Sequence, residues 1–400
     1  MTLAQYAALA AVMALAAHTT AFAQKKYDPG ASDSEIKIGN TAPYSGALSS
    51  ASSGPKAMKA YFDKVNDEGG INGRKIVFVS RDDGYSPPRT VEQTRRLVEQ
   101  EQALMIVASI GSPTSAAVQK YMNAKKLPQL FVASGTRKWG DPKAFPYSMG
   151  FTPSYYSEAR IFAQYLLDNK PQAKIAVFHQ NDDVGKEFLA GLKEGLGTKA
   201  KSMIVGLASY EFTDPTVDSQ IIALKASGAD TLLNVSFGKS ASQAIRKTAE
   251  LGWKPTHYLI NASSSIGGVL QPAGLDSAVG LISANFFRDA SDPQWQRGKE
   301  YDDFVAWARK YNPHADLKDW LVVWGYTVAQ ATVQVIRQAG DNLTHDNIMR
   351  QAANLDVALP MLLPGISVTT SADDYLPLER MKMMRFNGTY WELFGKVYGR

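Results

Sequence analysis

Short apolar runs that end in polar, Gly/Ser-rich loops, each followed by an amphipathic segment, recur along this chain of 400 residues. Ile36 and Ile38 alternate with polar neighbours until Gly39 and Pro43 break the run, which predicts a strand and a loop. Residues 55–66 then carry Ala57, Ala60, Tyr61 and Val65 at helical spacing behind Pro55. A strand over Ile76–Val79, a helix over Thr90–Glu101, a buried run in "ALMIVASIGSPTS", a helix over Ser115–Lys125 and the run in "LPQLFVASGT" continue the cycle. It resumes in "PQAKIAVFHQNDDVGKEFLAGLKEGL", again from Met203 to Leu251, and closes with "HYLINASSS" and "GLISANFF". Such alternation implies an α/β fold of mainly parallel sheets flanked by helices. Roughly ten units exceed what one sheet of a compact domain accommodates, so two sheets in two lobes are expected.

In open α/β sheets the loops beyond the carboxyl ends of the strands line the binding crevice. Here those loops are "TAPYSG", "DDGYSPP", "SIGSPTS", "ASGT", "HQNDDVG", "VSFGKS" and "NASSS". Any one Ser or Thr in them can be a simple helix cap. Seven such loops gathered at one edge form a polar ligand site, with helix N-termini able to receive an anion.

The N-terminus carries an Ala/Leu/Val/Met run over Ala7–Ala17, then Ala21-Phe22-Ala23 before Gln24. This reads as an export signal over 1–23, although no Lys or Arg precedes the run. The run is too short to span a membrane as a helix. The chain has no cysteine, which excludes disulfides and thiolate chemistry. The formal charge of +5 is spread without a basic run, so no nucleic-acid partner is expected. No catalytic residue, metal site or cofactor is expected either. None of the five histidines has metal-ligand spacing, and Ser53–Lys56 matches Ser-x-x-Lys without its partner motifs.

The segments "IKIGNTAPYSGALS", "YFDKVNDEGGINGRKIVFVSRDDGYSP", "IVASIGSPTSAAVQ" and "FTDPTVDSQIIALKASGADTLL" stand in an order and spacing that resembles the type I periplasmic solute-binding proteins of ABC importers. The likeness is to the leucine/isoleucine/valine-binding branch and covers nearly all of 34–400. It implies an N-terminal lobe of 34–150 plus 285–364 and a C-terminal lobe of 151–284 plus 365–400. Three crossings are implied, near Gly150–Pro153, Ala284–Phe287 and Leu363–Ser367. It further implies a periplasmic location, closure of the lobes over a solute, and membrane permease subunits as partners.

By the same likeness Ser112, Ser134 and Thr136 would hold the ligand's carboxylate, with Pro113 and Gly135 beside them. Tyr155 or Tyr156 would supply an aromatic contact from the second lobe, and Phe237 falls where amino-acid binders often carry Tyr. The acid that holds the α-ammonium in amino-acid binders would sit at about Ala262, next to Asn261 and Ser263. No acidic residue occurs between Glu250 and Asp276. An ammonium buried without a counter-charge costs several kcal/mol. The expected ligand is therefore a carboxylate without an ammonium group, unless Asp182 or Asp183 substitutes. The small residues Ser49–Ser53 leave room for a larger body, and Tyr44, Tyr85, Tyr155, Phe237 and Trp320 could flank a ring, although ordinary packing is the commoner role for any one of them. An aromatic acid such as a benzoate or hydroxycinnamate fits best. A branched-chain or other amino acid, a fatty acid, or a sensing rather than transporting role are the alternatives. Arg89, Arg137 and Lys138 stand beside two of the loops and either steer an anion or are solvated.

Overall fold

The computed structural model describes residues 25–399, so the expected export signal over 1–23 lies outside the described residues. One sheet has five strands in the order Lys75–Asp82, Glu35–Ala42, Met105–Val107, Gln129–Val132, Ser148–Gly150, all parallel. Two of its three inner strands, Met105–Val107 and Gln129–Val132, are buried at every residue. That is why they read as continuous apolar runs: helices cover both faces. The helices Ser53–Asp67, Pro87–Arg95 and Ser112–Ala124 follow its strands in turn.

The second sheet has seven strands in the order Trp391–Gly399, Arg380–Phe386, Ile282–Asn285, Thr256–Leu259, Thr231–Val235, Ile175–Gln180, Ile204–Tyr210. Five are parallel, and the C-terminal hairpin adds two antiparallel strands. The hairpin turns at Asn387-Gly388, where Asn387 Oδ1 accepts the Thr389 and Tyr390 N–H groups and Gly388 has φ +103°. Helices Tyr155–Asn169, Asp183–Leu196, Asp218–Ala226 and Gly238–Glu250 accompany this sheet.

The long helix Trp320–Ala339 returns to the first lobe and lies on Ser53–Asp67. The two backbones meet at glycines. A Cβ on Gly325 would stand 2.2 Å from the Gly54 carbonyl oxygen. This close approach fixes the start of the long helix, where Asp319, Trp320 and Trp324 sit.

The chain leaves the first sheet after Gly150 and enters helix Tyr155–Asn169 of the second lobe. It returns after Ile282–Asn285, where Phe286 and Phe287 run beside Leu362 and Leu363. Asn285 pairs with Lys382, so it belongs to the seven-stranded sheet rather than to the first lobe. The last crossing comes later than 363–367. Val368–Thr369 still pairs with Asp356–Val357, the Tyr375 phenol donates to the Pro146 carbonyl at 3.4 Å, and the chain joins the second sheet only at Arg380. The short pairing Val368–Thr369 holds the segment on the first lobe, a contact that periodicity in so short a run does not reveal.

Candidate ligand-binding cleft

Between the lobes lies a cleft of about 920 Å³, counted to its open mouth. Loops that follow strands of both sheets line it, as the topology requires. From the first lobe, Ile110, Gly111 and Ser112 follow strand Met105–Val107, and Ala133 and Ser134 follow Gln129–Val132. From the second lobe come Tyr155 and Glu158 on the helix after the first crossing, Phe237 and Gly238, and Asn261, Ala262 and Ser265.

The polar side of the first lobe is a row of buried hydroxyls. Ser112 Oγ and Ser134 Oγ are 2.7 Å apart, and Ser134 Oγ lies 3.3 Å from Thr136 Oγ1. Helix Ser112–Ala124 starts at this row behind Gly111, whose φ of +106° turns the chain into the helix. A Cβ on Gly111 would meet the Tyr85 ring at 2.4 Å and Thr114 Oγ1 at 2.6 Å. The helix has no acidic residue in its first turn, so its free N–H groups and dipole favour an anion. Pro113 sits in the first helical turn and Thr136 is fully buried behind Ser134; neither lines the cleft. Gly135 packs under Tyr155 and its carbonyl accepts the Tyr155 N–H at 2.7 Å, also outside the lining. Tyr44 turns away, its phenol donating to Ser80 Oγ at 2.6 Å.

Most of the remaining lining is apolar. Tyr85, Tyr155, Phe237 and Trp320 all line the cleft, as do Leu48, Ala51, Val269 and Trp324. The Tyr155 and Phe237 rings meet edge to face at 6.2 Å. Burial pushes the Tyr155 phenol up to about 12, against weaker opposing effects of the Gly135 backbone and the Ser112 hydroxyl. Tyr156, the alternative to Tyr155, lies outside the lining with the Arg137 guanidinium over its ring at 3.9 Å.

The expectation of a cleft without a carboxyl group is overturned. Glu158 lines it at 3% exposure, and its Oε1 accepts the Asn261 N–H at 2.6 Å. An acid therefore stands at the 261–263 loop, but it is supplied by a helix of the same lobe rather than by the loop. Burial raises this carboxyl from its ordinary 4.5 to about 8, opposed only by the Asn261 N–H. It is mostly un-ionised at neutral pH. No Lys, Arg, His or Asp is among the lining residues. Asp182 instead caps helix Asp183–Leu196 through the Val184 N–H, and Asp183 pairs with Lys138 at 2.5 Å. Arg89 pairs with Asp82 at 3.2 Å, and the Arg137 N–H donates to Glu187 at 2.8 Å. None of these charges enters the cleft.

Two serines of the 261–265 loop have structural partners. Ser263 Oγ donates to the Ser236 carbonyl at 2.6 Å, and Ser265 Oγ donates to Asp319 Oδ1 at 3.0 Å. Asp319 Oδ2 also accepts from Ser53 Oγ at 2.6 Å, so one buried carboxyl joins the two lobes. Across the mouth the Tyr85 and Phe212 rings are 4.4 Å apart. A Cβ on Gly238 would meet Leu48 Cδ1 at 2.9 Å. The lobes are closed on one another.

A sequence profile described as periplasmic binding protein matches residues 35–389. A Leu/Ile/Val-binding protein homolog 7 of Brucella melitensis is 25% identical over 291 residues, 69% of this chain and 71% of that protein. A branched-chain amino acid ABC transporter protein of Thermus thermophilus, solved with bound valine, superposes with a TM-score of 0.81 at 15% identity, over 92% of this chain and 97% of that one. An ABC transporter solute-binding protein of Rhodopseudomonas palustris BisB5, solved with 3,4-dihydroxybenzoic acid, gives 0.77 at 18% identity, over 92% and 98%.

Proposed function

The chain belongs to the periplasmic binding protein family, and from that membership we propose that it is the extracytoplasmic solute-binding subunit of an ABC importer for a small carboxylate with an apolar or aromatic body and no ammonium group. The observation that carries this reading is the pairing, in one cleft, of the Ser112 and Ser134 hydroxyls at a helix N-terminus with aromatic walls and no Lys, Arg, His or Asp; burial favours the un-ionised form of the one acid, Glu158. Neutral donors stabilise a carboxylate without a buried counter-ion. Tyr85, Tyr155, Phe237 and Trp320 supply the faces against which a ring or chain would lie. The solute bound in the Rhodopseudomonas palustris relative is an aromatic acid of this class.

Closure follows from the architecture. The donors for the carboxylate stand on one lobe and Tyr155, Glu158 and Phe237 on the other, so a solute that touches both binds the closed form better. Turning a 1:99 closed population into 99:1 takes about 5.5 kcal/mol of differential affinity. A few hydrogen bonds and burial of a ring are of that size. The permease subunits would read the closed form.

A second reading, an amino-acid ligand, is favoured by Glu158 itself. Ionising it to meet an ammonium would cost only about 1.4 kcal/mol per pH unit below its titration point. Thermal shifts with benzoate, 4-hydroxybenzoate, octanoate, leucine and valine separate the two. A ligand at 100 times its Kd adds about 2.7 kcal/mol of stability. Shifts with the amino acids and none with the simple acids would refute the first reading.

A further inference from the structure

Glu158 has no role in holding the fold that a neutral side chain could not fill. It occupies the buried stripe of helix Tyr155–Asn169 with Tyr155, Ala159 and Phe162. Its Oε1 is held by the Asn261 N–H, and among the described residues Oε2 makes no hydrogen bond. The titratable side chains that share the cleft with it are the phenols of Tyr155 on its own helix and Tyr85 on the opposite lobe; the 261–265 loop that packs on it carries none. A buried carboxyl with one oxygen fixed and the other facing ligand space is the arrangement of a polar reader rather than of a packing residue. Its helix begins one turn earlier at Tyr155, beside the Ser112/Ser134 row. The cleft therefore presents polar groups from both lobes within largely apolar walls, the Ser112/Ser134 row on one and Glu158 on the other.

We propose that Glu158 is a specificity-determining residue: its Oε2 makes a hydrogen bond with a hydroxyl group of the ligand, so the favoured solutes are hydroxylated acids. The inference rests on the carboxylate reading given above and narrows it to acids that carry a second, neutral polar group. The raised titration point keeps the carboxyl proton in place at neutral pH. A site built to hydrogen-bond a hydroxyl discriminates strongly against the analogue lacking it, because its own polar group is then left buried and unpaired.

Calorimetry with 4-hydroxybenzoate and benzoate tests this on the full protein, on Glu158→Gln and on Glu158→Leu, at pH 7 in two buffers of different protonation enthalpy. The native protein should bind 4-hydroxybenzoate at least about tenfold more tightly than benzoate. Glu158→Gln, which keeps a donor and an acceptor, should stay within about threefold, and Glu158→Leu should lose about tenfold for the hydroxy acid only. No proton should be released on binding. Equal affinity of the native protein for the two acids overturns the inference without needing a variant. Equal loss of both acids in Glu158→Leu, or release of a proton on binding 4-hydroxybenzoate, overturns it too, leaving the carboxylate reading intact. Binding of leucine with neither acid bound overturns both.

Discussion

The burial of Glu158 has a consequence for stability that needs no ligand to observe. In the unfolded chain this carboxyl titrates near 4.5, and in the folded protein near 8. The folded state therefore holds a proton that the unfolded state gives up, and stability falls as pH rises between those values. The loss is about 1.4 kcal/mol per pH unit, so roughly 3 kcal/mol has gone by pH 7 and about 5 kcal/mol above pH 8. Glu158→Gln keeps the acceptor for the Asn261 N–H and removes the titration. Native and variant proteins should unfold alike near pH 4.5. The variant should then become progressively more stable, by several kcal/mol at pH 9, an amount that urea unfolding followed by tryptophan fluorescence resolves easily. A native-minus-variant difference that stays flat from pH 5 to 9 would mean that Glu158 is ionised in the folded protein. The cleft would then hold an ionised carboxylate at neutral pH.

Other expectations follow from the same geometry. Ser112→Ala or Ser134→Ala should weaken a carboxylate ligand by about 1.5–3 kcal/mol each, roughly ten- to a hundredfold in a titration. Thr136→Val, at a hydroxyl that lies behind Ser134 and off the lining, should cost less than either. Asp319→Ala removes the acceptor shared by Ser53 and Ser265, and small-angle scattering should show a more open ligand-free protein; an unchanged radius of gyration would discount that bridge. Gly325→Ala forces a methyl group onto the Gly54 carbonyl and should destabilise by at least about 1–3 kcal/mol in thermal unfolding.

Much of the architecture was legible in the sequence, because parallel strands buried on both faces leave continuous apolar runs, as in Met105–Val107 and the first four residues of Ile175–Gln180. The C-terminal hairpin was not singled out, although Asn387-Gly388 between two alternating segments signals one. The cleft loops were legible for the same topological reason, and Tyr85, Ser112, Ser134, Tyr155, Phe237, Asn261, Ala262 and Trp320 do line one cavity. Tyr44 and Thr136 do not, because nearness in sequence to a lining residue does not fix which way a side chain turns. Glu158 lies outside the 261–263 loop in sequence and reaches it only through the fold. A signal existed: in "YYSEARIF" the acid falls on the apolar stripe shared by Tyr155, Ala159 and Phe162, where a solvated glutamate would not be placed.

The first crossing ends only a few residues before the helix that bears Tyr155 and Glu158. Any swing of that strap displaces both side chains from the serines opposite, so recognition and motion share one mechanical linkage. Dyes attached on either side of Gly150–Pro153 should therefore change their separation when the lobes move relative to one another.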